Sequence, residues 1–207
     1  MSKYDTFWLN EETGEIHTPK FRMVYPVLPP MEPRGIKGDD KSKPSFGVTA
    51  LLRKACDLTL LKVEMSAALK GKFGADWAKK KGYKLCLLKT EDQERLADFV
   101  EEFPNILRMR ANEGFPPFVY GVNAKPFTGA VSEIYSGRWA TAAGKLFAFD
   151  NVSKGISFSL NRIQLLDQDE PIAGGRVATA SGFEAVDTGG GKLVENASEV
   201  FNDEIPF

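Results

Sequence analysis

Short segments in which apolar or aromatic side chains alternate with polar ones recur along the first 166 residues, and this pattern constrains the fold most. Successive side chains of a β-strand point to opposite faces of its sheet, so the alternation predicts half-buried strands. In the first segment, Phe21, Met23 and Tyr25 share one face, and Lys20 and Arg22 share the other. By alternation or by β-branched and aromatic content, seven segments are predicted to be strands: 20–28, 45–52, 106–111, 117–123, 133–142, 145–149 and 156–166.

Two segments between the predicted strands have helical character. Leu58, Leu61, Met65 and Leu69 keep the spacing of an amphipathic helix, which we expect to run to about Gly71. The acidic segment 91–103 is predicted to be a second, short helix. Short strands around one or two helices indicate a mainly β fold, an OB-fold-like β-barrel of five strands or a slightly elaborated form of it.

The composition changes after Asp169. Residues 171–207 are rich in Gly, Ala, Ser, Thr and acids, include a triple glycine at 189–191, and contain few bulky apolar residues. Such a segment cannot bury enough apolar surface to offset the entropy of ordering it. The sequence therefore predicts a barrel domain over residues 1–170 and a disordered, flexible acidic tail over 171–207.

Charge is divided unevenly between these regions. Residues 1–166 hold 25 Lys and Arg against 19 Asp and Glu, a net charge of +6, whereas residues 167–207 hold 2 against 9, a net charge of −7. A basic body indicates a polyanionic partner, although a solvated surface with an incidental acidic tail also fits these counts.

The compartment is predicted from what the sequence lacks. No apolar run approaches 18 residues and the N-terminus has no secretory pattern, so neither a membrane span nor export is expected. Cys56 and Cys86 have neither a CxxC spacing nor a nearby histidine, which favours buried free thiols in a reducing cytoplasm.

Signatures of catalysis are sparse. The single histidine, His17, excludes a His-rich metal site, and no phosphate-binding glycine loop is present. Asp39 and Asp40 lie in a Gly- and Lys-rich loop, whereas a metal-dependent nuclease needs several carboxylates fixed on strands. We therefore expect a protein that is not an enzyme, with no catalytic residue, no cofactor and no metal site.

Basic and aromatic residues are interleaved on the predicted strands, as a binder of single-stranded nucleic acid requires. Cations follow the phosphates while rings stack on bases without reading sequence. Alternation puts half of such rings in the core, so Trp139 fits either role, whereas Lys145, Phe147 and Phe149 share a face expected to point outward. The candidate DNA-binding residues are Lys20, Arg22, Tyr25, Tyr120, Lys125, Arg138, Trp139, Lys145, Phe147, Phe149, Lys154 and Arg162.

The segment 135–175 resembles the strand–turn–strand signature of a phage family of single-stranded-DNA-binding proteins. The matching positions are Ser136, Gly137, Phe147, Ala148, Phe149, Lys154, Gly155, Ser157, Leu160, Gln164, Asp169 and Glu170, and 46–62 is similar to the family's second strand and following helix. The resemblance implies an OB-fold that coats single strands in phage replication, recombination and repair, in the cytoplasm of the host cell. The sequence at 51–57 and the 91–103 segment depart from the family pattern.

The chain ends in "NDEIPF", which is similar to the acidic tip that ends bacterial single-stranded-DNA-binding proteins. That resemblance implies a docking peptide for replication and repair proteins, formed by Asp203, Glu204, Ile205, Pro206 and Phe207. Physically, the ring of Phe207 can fill an apolar pocket while the α-carboxylate of the same residue pairs with a cation. The acids could also compete with DNA for the basic body.

Three functional classes follow from the sequence. The first is an OB-fold protein that coats single-stranded DNA and recruits partners through its C-terminal tip. The alternatives are an interaction or assembly module that does not bind DNA, and a metal-dependent nuclease with an atypical carboxylate site. A homodimer or a cooperative assembly on DNA is compatible with the first class.

Overall fold

The computed structural model describes residues 5–35, 43–79, 82–151 and 153–172. Within these ranges the chain forms one α-helix, α1 (Thr59–Phe73), and short 3-10 helices at Ala75–Lys79, Thr90–Asp92, Glu94–Phe99 and Val131–Glu133. Its strands are β1 (Trp8–Asn10), β2 (Glu15–His17), β3 (Phe21–Val27), β4 (Ser45–Leu52), β5 (Leu87–Lys89), β6 (Asn105–Asn112), β7 (Phe118–Tyr120), β8 (Trp139–Asp150) and β9 (Lys154–Leu165).

Five strands close into a barrel in the order β8-β3-β4-β6-β9, with β9 returning to β8. All these pairs are antiparallel except β6 and β9, which run parallel, with Met109 opposite Phe158. A five-stranded barrel with non-sequential strand order is the OB architecture. The prediction of a mainly β, OB-fold-like barrel is confirmed.

Four further strands extend the barrel: β1 pairs with β2, β2 with β8, β5 with β6, and β7 with β9. Each has three residues. The alternation that predicts a strand cannot be recognised over so short a length, and β1, β2 and β5 were not predicted.

The interior is filled by inward side chains of the barrel and by one face of α1. Phe21, Met23 and Phe158 are fully buried. Leu61 and Leu69 of α1 pack into the same core cluster, as their helical spacing predicts. Cys56 and Cys86 are both free, and burial raises the pKa of each thiol to about 11, so both are protonated thiols at neutral pH.

Three predicted elements, one helix and two strands, differ from the structure. The 91–103 segment is not an α-helix, because the chain is extended at Gln93 (φ −118°, ψ 94°), where the side chain accepts a hydrogen bond from Arg108 at 2.6 Å. The two strands predicted at 133–142 and 145–149 are one strand, β8, which begins at Trp139 and continues through a register shift at Ala143/Gly144.

The chain divides into a unit of Met1–Arg176 and a second of Val177–Phe207. Ile172 is buried against Trp139 and its neighbours, so the packed chain continues two residues past the predicted domain boundary at 170. The predicted tail beyond Ile172, including the C-terminal tip, lies outside the described residues. Of the helices described, none is long and apolar enough to cross a membrane.

Candidate nucleic-acid interface

Two arginines of β6, Arg108 and Arg110, project from the outer surface of the barrel. They are exposed, whereas Leu107 and Met109, which alternate with them, are buried. On β4 their cross-strand neighbours are Thr49 and Gly47. These small residues leave the surface beside both guanidinium groups open.

Arg108 and Arg110 line a groove of about 550 Å³ together with Tyr25, Arg34 and Arg95. We call this the arginine groove. Arg34 and Arg95 are also exposed. Among the described residues that line it, none is Asp or Glu, so four positive charges face the same space without an acidic side chain between them. Such a surface attracts a polyanion.

Tyr25 enters this groove because of a local irregularity in β3. The pairing of β3 with β4 shifts register between Val24 and Val27, and Tyr25 has a φ of +52°, which is rare for a residue with a side chain. Its backbone N–H donates to Ser136 Oγ at 3.0 Å. Alternation predicts the ring on the buried face with Phe21 and Met23, but the irregularity turns it outward and leaves Tyr25 49% exposed. Strained backbone of this kind is often kept at functional sites.

The outer surface continues from β6 across β9 to β8. Arg110 is opposite Ser159, which is opposite Lys145, and two residues further along the strands Ser157 is opposite Phe147. Lys145 is exposed and Phe147 is 50% exposed, while Leu146 between them packs on the core. The predicted outward face of Lys145 and Phe147 is thus present in the structure.

Phe149 follows on the same face, with its ring centroid 6.3 Å from that of Phe147. The sequence prediction therefore found one edge of the outer surface. It missed the arginines at its centre, although "ILRMRA" alternates Arg108 and Arg110 with buried residues and the same rule would have found them.

Two predicted contacts, Arg138 and Trp139, are buried and are not available to DNA in this structure. Arg138 is 6% exposed and donates hydrogen bonds to the carbonyl oxygens of Leu166 and Glu133 while pairing with the Glu133 carboxylate at 3.3 Å. Trp139 is 7% exposed and packs on Phe103. For both residues the prediction of direct DNA contact disagrees with the structure.

Lys20 and Arg22 lie beside the buried Trp139 rather than in the arginine groove. Their cationic groups are 4.9 and 5.7 Å from the Trp139 ring centroid, and Arg53 lies at 4.3 Å. Arg22 is largely buried and donates to the carbonyl oxygens of Gly137 and Glu170.

The chain that follows β9 supplies acids to this cluster. Asp167 pairs with Lys20 at 2.5 Å, and that hydrogen bond lowers the pKa of Asp167. Asp169 accepts hydrogen bonds from the Glu170 backbone and from Trp139 Nε1 at 2.7 Å, which lower the pKa of Asp169. Lys20 and Arg22 are therefore already matched by carboxylates, since Asp169 also lies 3.6 Å from the Arg22 guanidinium.

Tyr120, Lys125 and Arg162 form a third group, near the pairing of β7 with β9. Tyr120 is partly buried, Lys125 is exposed in the turn after β7, and Arg162 pairs with the buried Glu15. Burial alone would raise the pKa of Glu15, but a hydrogen bond from Asn161 and the charge of Arg162 outweigh burial and lower it. The predicted residues Arg22, Lys125, Lys145 and Phe147 thus do not line one groove.

A second, larger groove of about 1120 Å³ lies next to this third group and is mainly apolar. We call it the apolar groove. Phe115 and Phe118 on its wall are 81% and 68% exposed. Its charged lining residues, Glu15 and Arg162, pair with each other. The remaining large or rigid apolar residues that line it are Pro29, Pro30, Pro116, Pro117, Val119, Phe127 and Leu160.

Nothing in the described ranges forms a cluster of three or more His, Cys, Asp or Glu residues that could hold a metal ion. His17 stacks on Trp8 with ring centroids 3.8 Å apart. The partner-binding residues predicted at the C-terminus, 203–207, lie outside the described residues, and their role stays a prediction.

Comparison with known proteins connects this fold to phage proteins. Protein p50 of Acyrthosiphon pisum secondary endosymbiont phage 1 is 26% identical over 174 residues, covering 79% of this chain and 89% of p50. The single-stranded DNA-binding protein of bacteriophage Enc34, solved in complex with single-stranded DNA, is 22% identical with a TM-score of 0.66, over 83% of this chain and 96% of that one. Gp2.5, a single-stranded DNA-binding protein of bacteriophage T7, is 11% identical with a TM-score of 0.51, over 77% and 95% of the two chains.

The family model described as "Enterobacter phage Enc34, ssDNA-binding protein" matches residues 14–193. The proteins that carry this description are binding proteins, in agreement with the prediction that the chain is not an enzyme. Because the match spans most of the sequence, the chain belongs to this family of phage single-stranded-DNA-binding proteins.

Proposed function

We propose that the chain binds single-stranded DNA without strong sequence preference, through the arginine groove and its continuation to Lys145 and Phe147 on β8. The observation that carries this proposal is the groove itself, with four arginines and no acidic lining residue among those described. Membership in the phage family supports the same ligand, since a structure of the Enc34 protein contains single-stranded DNA.

Each part of this surface has a physical task. Arginine donates in a fork to phosphate oxygens and binds them in any sequence context. Tyr25, Phe147 and Phe149 offer rings on which bases can stack, worth about 1–3 kcal/mol per base. Gly47 and Thr49 of β4 have small side chains, so they do not obstruct a strand that lies across β4 beside the two arginines. A Cβ on Gly47 would lie 2.9 Å from the Met109 carbonyl oxygen. Contacts of this kind read the backbone and the ring faces, and neither depends on sequence.

The direct test is titration of the whole chain with oligo-dT at low salt, followed by the same titration at rising salt. We expect binding whose log K falls by about 0.7 for each phosphate contact per log unit of salt. Oligo-dT that does not bind at low salt would overturn the proposal.

We further propose that the C-terminal tip, 203–207, recruits proteins of phage DNA replication, recombination and repair in the host cytoplasm. The support is the sequence itself: two acids, then Ile-Pro-Phe at the chain end, similar to the tip of bacterial single-stranded-DNA-binding proteins. A ring for an apolar pocket, a carboxylate for a cation and a proline that limits conformers suit a short docking peptide.

Truncation after Arg176 tests the tail without removing Ile172 from the core. Loss of partner capture from host extract, with DNA binding retained, is the expected result. An increase in DNA affinity would support competition between the acidic tail and DNA, and unchanged affinity would exclude that competition.

One observation favours an interaction module as a second candidate. Exposed rings such as Phe115 and Phe118 on a neutral groove are typical of protein-binding surfaces. If this second function is correct, substitutions of Phe115 and Phe118 abolish partner capture. Substitutions in the arginine groove then leave the binding of every tested ligand unchanged.

A further inference from the structure

Three aromatic rings cluster where α1 ends, outside the five-stranded barrel. Phe73, the last residue of α1, lies 5.0 Å from Tyr83 between ring centroids, and Trp77 lies 6.1 Å from Tyr83. All three side chains are partly buried, and the 3-10 helix that carries Trp77 has no buried residue. All three rings pack against the main core cluster, and their side chains remain partly accessible to solvent.

Backbone hydrogen bonds attach this cluster to the turn between β8 and β9. The N–H of Lys84 donates to the carbonyl oxygen of Lys154 at 2.9 Å, and the N–H of Ile156 donates to the carbonyl oxygen of Lys84 at 2.8 Å. The side chain of Lys154 extends over the cluster, with Nζ 5.9 Å from the Phe73 ring centroid. The aromatic cluster and the hairpin turn thus form one surface.

Gly155 shows how closely the two segments approach. A Cβ on Gly155 would collide with the carbonyl oxygen of Lys84 on one side and with the ring of Phe149 on the other. Phe149 is in turn beside Phe147, which lies on the outer surface that continues from the arginine groove. Phe149 and Lys84 therefore approach the buried Gly155 from two sides, which places Phe147 and Phe149 next to the segment that carries Tyr83.

The charge on this surface is positive. Lys70, Lys72 and Lys84 are exposed, and in the described part of the chain no carboxylate lies within ion-pair distance of their ammonium groups. The nearby acids have partners of their own, since Asp76 pairs with Lys79 at 2.7 Å and Asp150 with Lys154 at 3.5 Å.

We infer that Phe73, Trp77, Tyr83 and Lys84, which we call the lysine rim, form a second contact surface for the backbone and bases of single-stranded DNA. It extends the path that begins in the arginine groove. Cations beside partly exposed rings are what a sequence-tolerant single-strand path requires. The inference rests on the proposed function, because the rim receives DNA that the groove already holds.

The lysine rim predicts that its substitution affects binding only to long oligonucleotides, which the arginine groove alone does not predict. One OB-fold contacts about 4–16 nucleotides depending on the protein. A short oligo-dT of about 8 nucleotides would be held by the groove, whereas one of about 25 nucleotides would also reach the rim. Substitutions in the rim should then weaken the binding of long DNA only.

The test compares Lys84→Glu with Lys62→Glu in the full chain, using both oligonucleotides. Lys62 is exposed on α1, 11 residues before Phe73, which is about 16 Å along the helix, and its substitution changes the net charge equally. We expect Lys84→Glu to weaken long oligo-dT about tenfold, to leave short oligo-dT within about twofold, and to reduce the salt dependence of long-DNA binding by at least about 0.7. Lys62→Glu should change neither.

Tryptophan fluorescence gives a second readout that does not depend on affinity. Long oligo-dT should quench emission more than short oligo-dT, and Trp77→Phe, which keeps an aromatic ring in the cluster, should remove the difference. The lysine rim would be overturned if Lys84→Glu weakened the binding of short and long oligo-dT equally. It would also be overturned if Lys84→Glu changed neither affinity and quenching did not depend on length. If neither oligonucleotide binds the unsubstituted protein, the proposed function fails instead.

Discussion

The arginine groove and the apolar groove lie on the same barrel, and each contains arginine and at least one exposed aromatic ring. They differ in what the arginine contacts. In the apolar groove Arg162 pairs with the buried Glu15. In the arginine groove Arg108 has no carboxylate partner among the described residues and donates a hydrogen bond to the neutral side-chain amide of Gln93. The partner of a cation, more than the number of cations, therefore decides whether a groove suits a polyanion.

The Trp139 cluster extends the same lesson. Lys20 and Arg22 have the charge expected of a DNA contact, but Asp167 and Asp169 match it locally. Net charge of the body predicted a polyanionic ligand without locating it. Location depends on which cations remain free of carboxylates after folding.

The largest effect we expect separates the rings of β8, next to the arginine groove, from the rings of the apolar groove. Replacing Phe147 and Phe149 with Ala removes two stacking surfaces and should weaken oligo-dT binding about tenfold or more, since each stacked base contributes about 1–3 kcal/mol. Fluorescence anisotropy with labelled oligo-dT measures it. The matched control, Phe115→Ala with Phe118→Ala, removes two rings from the apolar groove and should leave the affinity within about twofold. A larger loss in the control would reverse the assignment of the grooves.

The second prediction concerns the ion pair between Glu15 and Arg162, which lines the apolar groove. The pKa of Glu15 is lowered in the folded protein, so its contribution to stability is present above the unfolded pKa and is lost as pH falls through the folded value. Glu15→Gln should reduce the free energy of unfolding by about 1–3 kcal/mol at neutral pH.

The same substitution should flatten the decline of stability in acid below about pH 4.5, which is near the usual pKa of glutamate. Urea unfolding from pH 3 to pH 7 tests both effects. Equal stability of the two proteins at neutral pH would show that the pair is not important for folding. Glu101→Gln, an exposed residue, is the control for removal of one charge.

The smallest effect concerns Tyr25. Because its φ is +52°, glycine adopts this backbone conformation more readily than alanine does. Tyr25→Gly should therefore be more stable than Tyr25→Ala by about 1 kcal/mol. Both lose the ring and should weaken oligo-dT binding by the same few-fold factor. If thermal unfolding gave the reverse order of stability, the left-handed backbone at this position would be wrong.

Much of the fold follows from local sequence pattern. Alternation or β-branched and aromatic content placed β3, β4, β6 and β9 within a few residues, and the spacing of Leu61, Met65 and Leu69 predicted the buried face of α1. The register shift at Ala143/Gly144 was not predictable by alternation along β8, because the extra residue lies in β9, where Asn161 stands between the paired residues Leu160 and Arg162.

The site was harder to predict than the fold. Phe147 and Lys145 were correctly placed outward by alternation, and the same rule applied to "ILRMRA" would have added Arg108 and Arg110. Arg138, Lys20 and Arg22 could not be sorted in this way. Apart from Glu133 beside Arg138, they have acceptors in Leu166, Asp167 and Glu170, which are distant in sequence and meet these cations only after the barrel closes.

The central claim is that Arg108 and Arg110 of β6, which have no carboxylate partner among the described residues, hold the phosphates. It is tested most directly by the salt dependence of oligo-dT binding to Arg108→Ala with Arg110→Ala, beside the control with Phe115 and Phe118 replaced by Ala. We predict that the slope of log K against log salt becomes shallower by about 1.4 in the arginine variant, two contacts at about 0.7 each, and stays unchanged in the control. An unchanged slope in the arginine variant, with both proteins folded, would contradict the claim.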